Sequence, residues 1–112
     1  MDKKQTIEVL VVTMNQTDCG LYQKMNLQTD AIIANQSNHF DYIENIINNK
    51  KVKMITTPDR GVGKNRNIAL LNATADIIIF ADDDMVFVNN YEDGIIEAFE
   101  KIPNADIIIF EV

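Results

Sequence analysis

A chain of 112 residues, 46% hydrophobic and 24% charged, has the size and composition of one ordinary globular domain with its own core. Its formal net charge of −7 argues against nucleic acid as a partner, because a phosphate backbone attracts cationic surfaces. No stretch reaches the roughly 20 apolar residues that a membrane-spanning helix needs. The single cysteine, Cys19, excludes an internal disulfide and fits a reducing compartment, so we expect a cytoplasmic protein.

Apolar runs alternate with segments of helical periodicity along the chain. The runs are rich in Ile and Val and predict strands buried on both faces, at residues 7–14, 31–34, 52–55, 76–81 and 106–110. The segments between them predict helices at residues 21–27, 40–47, 63–71 and 91–102. This alternation predicts a single α/β domain, a three-layer sandwich around a mostly parallel, Rossmann-like sheet.

Three consecutive aspartates, Asp82, Asp83 and Asp84, directly follow the fourth predicted strand. Open α/β sheets bind ligands at the carboxyl ends of their strands, which is where this cluster lies. Charges this close repel by a few kcal/mol at an effective dielectric constant of about 20, and a hard divalent cation would neutralise them. The alternative is a solvated acidic loop.

A cationic segment with two glycines, residues 60–67, precedes the aspartates. Gly61 and Gly63 allow close approach of the backbone to a ligand, and a helix that begins here presents free N–H groups to an anion. Lys64 and Arg66 add positive charge, which favours a phosphate-bearing ligand. The segment fits neither a Walker A loop nor a dinucleotide fingerprint, and a plain strand-to-helix turn is the alternative.

Polar side chains also follow the first two predicted strands. Thr13 and Asn15 come at the end of the first, and Asn35 and Gln36 come after the second. Amide side chains both donate and accept hydrogen bonds, which suits the edge of a nucleobase, although such residues also form ordinary turns. Because parallel strands end at one edge of a sheet, the three sets together predict a site for a metal-chelated nucleoside diphosphate.

These motifs resemble the N-terminal, nucleotide-sugar-binding half of the family 2 glycosyltransferases, which have the GT-A fold. The resemblance covers essentially the whole chain and rests on residues 11–15, 35–37, 60–67 and 79–84. The last of these segments matches the DxD motif of the family, and its position after Arg66-Asn67 and a short helix makes the match specific.

The resemblance implies transfer of a sugar from a nucleotide donor, usually with inversion, with Mn²⁺ or Mg²⁺ as cofactor. It implies that Asp82 and Asp84 bind the metal and that Asp83 contacts the ribose. The other nucleotide-binding residues would come from three segments: Thr13 and Asn15, Asn35 and Gln36, and Gly61, Gly63, Lys64 and Arg66. Members of the family often have aspartate at the position of Asn35, so the resemblance alone does not say how this chain recognises the base.

The implied partners are a nucleotide-diphospho-sugar donor, with a UDP-sugar favoured, and a saccharide or lipid-linked acceptor. The acceptor-binding half and its catalytic base would lie beyond Val112, so we expect this chain alone to bind nucleotide and metal but to transfer sugar poorly. The resemblance also implies peripheral association with the inner face of the membrane. The last predicted strand is uncovered at the edge of the sheet, and pairing with the same strand of a second copy would give a homodimer.

Three other interpretations stay open. Residues 80–87 resemble the motif of haloacid-dehalogenase phosphatases, in which Asp82 would be the nucleophile and Asp84 the acid/base. A sugar-nucleotide pyrophosphorylase also has a related fold with a cationic glycine-rich loop, but after its first strand. A non-catalytic module would bind nucleotide without performing chemistry.

Overall fold

The computed structural model of the protein describes residues 6–58, 67 and 70–98 with their side chains, and the backbone of residues 99–100 and 109–111. The elements in chain order are β1 (Ile7–Met14), α1 (Leu21–Lys24), β2 (Asp30–Gln36), β3 (Asp41–Ile47), β4 (Lys50–Thr57), β5 (Ile77–Asp82), α2 (Tyr91–Glu100) and β6 (Ile109–Glu111). Residues 67, 70 and 71 are also helical, within the predicted helix 63–71, whose other residues between 63 and 69 lie outside the described part.

The strands form one sheet in the order β3-β4-β2-β1-β5-β6. Every neighbouring pair is parallel except β3 and β4, which are antiparallel. The prediction of an α/β fold with a mostly parallel, Rossmann-like sheet is therefore confirmed. Parallel neighbours place the carboxyl ends of β1, β2, β4 and β5 at one edge of the sheet, which is the edge that binds ligands in such folds.

Both faces of the central strands are buried. On one face Val9 and Val11 of β1 pack with Tyr22 of α1 and with the start of α2. On the other face Leu10 packs with Ile32 of β2 and with β5. Burial on both sides explains why these strands are continuous apolar runs rather than alternating ones. No helix among the described residues is long and apolar enough to cross a membrane.

The prediction of a helix over residues 40–47 was wrong, because this segment forms the edge strand β3. Ile43 and Ile47 are four residues apart, a spacing that places side chains on one face of a helix and equally on one face of a strand. In the structure both pack against the core, while Phe40 and Ile46 are 74% and 66% exposed. The apolar spacing alone therefore could not distinguish the two structures.

A two-residue turn explains why this segment forms a strand and not a helix. Asn48 and Asn49 have φ values of 50° and 66° and join β3 to β4 in an antiparallel hairpin. Positive φ at both central residues is typical of the type I′ turn, whose twist matches that of the flanking strands. Asparagine tolerates this left-handed conformation better than other residues with a side chain. The Asn-Asn pair between two apolar runs was the missed indication of a hairpin.

We expect Asn49→Val to lower the free energy of unfolding by about 1–2 kcal/mol, because a β-branched residue is strained at positive φ. Asn49→Gly, the matched control, should stay within about 0.5 kcal/mol of the unmodified protein. Urea unfolding followed by circular dichroism measures both. Equal stability of the valine and glycine variants would contradict the turn described here.

The other predicted elements are present within the described residues, but the predicted helix 21–27 is shorter in the structure, where it ends at Lys24. The strand prediction 31–34 falls inside β2, 52–55 falls inside β4, and α2 begins at Tyr91 as predicted. Residues 101–102 of the predicted last helix and 106–108 of the predicted last strand lie outside the described residues. The described part of that strand, Ile109–Glu111, pairs in parallel with β5.

Candidate functional site

Strand register brings the predicted polar residues together. Thr13 of β1 lies opposite Asn35 of β2, and Asn35 lies opposite Thr56 of β4. On the other side of β1, Val12 lies opposite Asp82 of β5. The polar ends of four adjacent strands therefore form one continuous edge, as the sequence predicted.

The aspartates form a tight turn at the end of β5, which we call the acidic turn (residues 82–84). The backbone N–H of Met85 donates to the carbonyl of Asp82 at 3.2 Å, and this bond closes the turn. All three aspartates are exposed. The hydroxyl of Thr13 donates to Oδ2 of Asp83 at 2.9 Å, so β1 holds one of the three carboxylates in place.

The acidic turn could supply only some of the ligands that a hard cation needs, not a complete set. In the described part of the chain, no three Asp, Glu, His or Cys side chains lie close enough together to hold a metal. Asp82 and Asp84 nevertheless present exposed carboxylates at the same turn, and carboxylate oxygens are what Mg²⁺ and Mn²⁺ accept. The residues therefore fit a cation whose remaining ligands come from a bound phosphate and water.

A polar cavity of about 460 Å³ opens at the ends of β1, β2 and β4, on the same edge of the sheet as the acidic turn. Its described lining consists of Met14, Asn15, Gln36, Ser37, Asn38 and Pro58. This volume falls within the range of small-molecule sites in proteins. Two predicted nucleotide-binding residues, Asn15 and Gln36, are therefore in the wall of one cavity.

The wall is fixed by backbone hydrogen bonds between strand ends. Asn15 adopts the left-handed conformation, with φ 58°, and its N–H donates to the carbonyl of Gln36 at 2.7 Å. The N–H of Ser37 donates to the carbonyl of Thr57 at 3.0 Å. These bonds continue the sheet past the ends of its strands and hold the two sides of the cavity wall together.

The structure places Thr13 and Asn35 behind this wall. Asn35 is only 1% exposed, and its side chain is hydrogen-bonded to Gln16 and Thr56. Thr13 is 5% exposed and lies between Gln16 and Asp83. The predicted residues Gly61, Gly63, Lys64 and Arg66 lie outside the described residues.

Three residues at this edge were not predicted. Asn38 and Pro58 line the cavity, and both follow strands that extend further than predicted, to Gln36 and to Thr57. The hydroxyl of Thr57 is buried and has no hydrogen-bond partner among the described residues. An unpaired buried hydroxyl is uncommon in folded proteins, and this one lies at the edge where a ligand would bind.

Cys19 has none of the features of a catalytic thiol. Its side chain is only 4% exposed, and burial raises the pKa of the thiol, with a further increase from the nearby Asp18 carboxylate. A hydrogen bond with Asn45 acts in the opposite direction but is the smaller influence on the pKa. A reactive cysteine needs a lowered pKa, so this one is a structural residue of the core.

The mostly parallel sheet defines an α/β domain of the Rossmann-like kind, with a polar cavity and an acidic turn at its carboxyl edge. The sequence profile described as glycosyl transferase family 2 matches residues 25–110, which is most of the chain. The protein belongs to this family. No curated protein and no solved structure matches the chain. The family match favours the glycosyltransferase interpretation over the phosphatase and the pyrophosphorylase.

Proposed function

We propose that this chain binds the nucleotide-diphospho-sugar donor of a family 2 glycosyltransferase. The observation that carries the proposal is that consecutive residues at the end of β1 contact the acidic turn and line the cavity. Thr13 donates a hydrogen bond to Asp83, and the next residue, Met14, lines the cavity. A ligand with a base at one end and a diphosphate at the other would span both features.

The chemistry of the cavity favours uracil as the base. Its described lining contains three amide side chains, on Asn15, Gln36 and Asn38, and no carboxylate. An amide can accept from one group and donate to its neighbour, which matches the adjacent N–H and carbonyl of uracil. Guanine instead presents two adjacent N–H donors, for which a carboxylate is the better partner. The donor we propose is therefore a UDP-sugar.

The acidic turn would hold the metal that accompanies the diphosphate. We assign Asp82 and Asp84 to a Mn²⁺ or Mg²⁺ ion, and Asp83, oriented by Thr13, to the ribose. When bound, the cation would neutralise charge on the diphosphate as the sugar leaves. A protein of net charge −7 needs such a counter-charge to bind an anionic donor, and Lys64 and Arg66 are our candidates for supplying the rest.

The reaction we propose is inverting transfer of the sugar to a saccharide or lipid-linked acceptor. Such transfer needs a general base that takes the proton from the acceptor hydroxyl. No residue of this chain is assigned that role. We place the reaction in the cytoplasm, at the inner face of the membrane if the acceptor is lipid-linked.

Calorimetric titration of UDP and GDP in the presence of Mn²⁺ tests the choice of base. We expect UDP to bind at least about tenfold more tightly than GDP, a difference of ~1.4 kcal/mol. Gln36→Leu should remove most of this preference, because leucine cannot pair with the base. Gln23→Leu, on the exposed side of α1, is the matched control and should leave the affinity for UDP unchanged. Equal or tighter binding of GDP by the unmodified chain would contradict the assignment.

A further inference from the structure

We infer that Asn35 is a positioning residue: its amide clamps the backbone of Gln16 and thereby holds the segment that follows β1. We call this arrangement the amide clamp (Asn35 with Gln16 and Thr56). The inference rests on hydrogen-bond geometry and not on the proposed function. Only its consequence for the choice of base depends on that function.

The amide clamp uses both ends of the Asn35 side chain. Oδ1 accepts a hydrogen bond from the N–H of Gln16 at 2.9 Å, and Nδ2 donates to the carbonyl of Gln16 at 2.9 Å. The second hydrogen of Nδ2 is directed to Oγ1 of Thr56 at 3.1 Å. With the side chain 1% exposed, neither amide N–H is left for a ligand.

The clamp is needed because β1 ends at Met14 and the chain then turns. Asn15 is in the left-handed conformation, so the peptide groups of Gln16 leave the hydrogen-bond ladder of the sheet. Buried peptide groups need partners, and the amide of Asn35 supplies a donor and an acceptor as a neighbouring strand would. The clamp therefore fixes the position of Asn15 in the cavity wall.

The clamp continues to the acidic turn. Nε2 of Gln16 donates to Oγ1 of Thr13 at 3.2 Å, and Thr13 in turn donates to Asp83 at 2.9 Å. A single chain of hydrogen bonds thus runs from Thr56 through Asn35 and Gln16 to the carboxylate of Asp83. Displacement of Gln16 should therefore change the positions of residues in both the cavity wall and the acidic turn.

The clamp requires an amide and excludes a carboxylate. An aspartate at position 35 could still accept from the N–H of Gln16, but its second oxygen would face the Gln16 carbonyl without a proton between them. Asn35 consequently cannot accept an N–H of the base as a carboxylate would. Under the proposed function, the base is recognised by the side chains that line the cavity, with half-buried Gln36 as the main determinant.

Amide hydrogen exchange in the ¹⁵N-labelled full chain tests the clamp directly. Asn35→Ala should accelerate exchange of the Gln16 N–H at least tenfold, because its acceptor is removed. Gln16→Ala deletes only the bond to Thr13 and should leave that N–H protected. An unchanged Gln16 exchange rate in Asn35→Ala would overturn the inference. If Asn35→Ala does not fold, Thr56→Val, which removes one of the three bonds, should show a smaller acceleration of the same amide.

The pH dependence of stability gives a second test of the clamp. The described partners of Asn35, which are Gln16 and Thr56, carry no charge, and Asp83 lies three hydrogen bonds away, through Gln16 and Thr13. In Asn35→Asp the introduced carboxylate should therefore keep its proton to unusually high pH, because only the protonated form donates to the Gln16 carbonyl. The urea midpoint of this variant should fall increasingly below that of the unmodified chain as the pH rises from 5 to 8.

Asn38→Asp is the matched control, since Asn38 is exposed in the same cavity, and its urea midpoint should follow that of the unmodified chain. The same pH dependence in both variants would overturn the clamp. Neither readout needs a nucleotide. A deprotected Gln16 in Asn35→Ala, in a chain that binds no UDP, would thus support the clamp and refute the proposed function separately.

Discussion

Asp84→Asn is expected to weaken Mn²⁺-dependent binding of UDP by at least about tenfold, or ~1.4 kcal/mol. The substitution keeps the size of the side chain and removes its charge, and a neutral amide oxygen is a poorer ligand for a hard cation than a carboxylate. Asp82→Asn should have an effect of similar size, because both carboxylates are exposed on the acidic turn. Calorimetry with and without Mn²⁺ measures the metal-dependent part of the affinity.

Two controls make this result specific. Asp93→Asn removes an exposed carboxylate from the first turn of α2 and should leave binding unchanged. Asp83→Asn should have a smaller effect on metal dependence than Asp84→Asn, because the Asp83 carboxylate accepts from Thr13. Equal losses in all four variants would mean that only overall negative charge matters, and the assignment of the metal to Asp82 and Asp84 would be wrong.

Glu8→Ala is expected to lower the free energy of unfolding by about 2–3 kcal/mol. Glu8 lies in β1 and is 3% exposed, and its Oε1 accepts from the backbone N–H groups of Thr74 and Ala75 at 2.9 and 3.2 Å. Alanine would leave these two donors without their partner as the chain enters β5. Leaving a hydrogen-bond donor without a partner costs more free energy than the bond itself contributes to stability, so the effect should be large.

Glu8→Gln keeps an acceptor oxygen in place and should cost less than Glu8→Ala. Glu44→Ala is the exposed control: its ion pair with Lys51 is 3.6 Å long, and the two side chains are 41% and 53% exposed. Exposed pairs contribute little, so this change should stay within about 0.5 kcal/mol. Guanidinium unfolding of the three variants gives the comparison. A Glu8→Ala protein as stable as Glu44→Ala would contradict the role assigned to Glu8.

The sequence predicted the parts of the fold that depend on continuous apolar runs. The central strands are buried on both faces, so their composition alone identified them. The edge strand β3 is half exposed and has no such run, and its isoleucines fit a helix as well as a strand. Only the conformational preference of Asn48 and Asn49 distinguishes the two, and it acts through φ rather than through hydrophobicity.

The site was predicted by topology rather than by individual side chains. Parallel strands must end at one edge, so Asp82 and Gln36 could be placed together without coordinates. Which side chains face the cavity depends on local turns that the sequence does not specify. Asn35 and Asn15 are both asparagines at strand ends, yet one is buried in hydrogen bonds to Gln16 and the other lines the cavity.

The central claim is that nucleotide and metal bind at the shared edge of β1, β2 and β5. Paramagnetic broadening by Mn²⁺ in the ¹⁵N-labelled chain, recorded with and without UDP, tests it most directly. We predict that Mn²⁺ with UDP broadens the amide signals of residues 82–85 and 13–16 first, while UDP with diamagnetic Mg²⁺ shifts those of residues 36–38. Broadening centred elsewhere, for example on Glu92 and Asp93 of α2, or no change on addition of UDP, would contradict the claim.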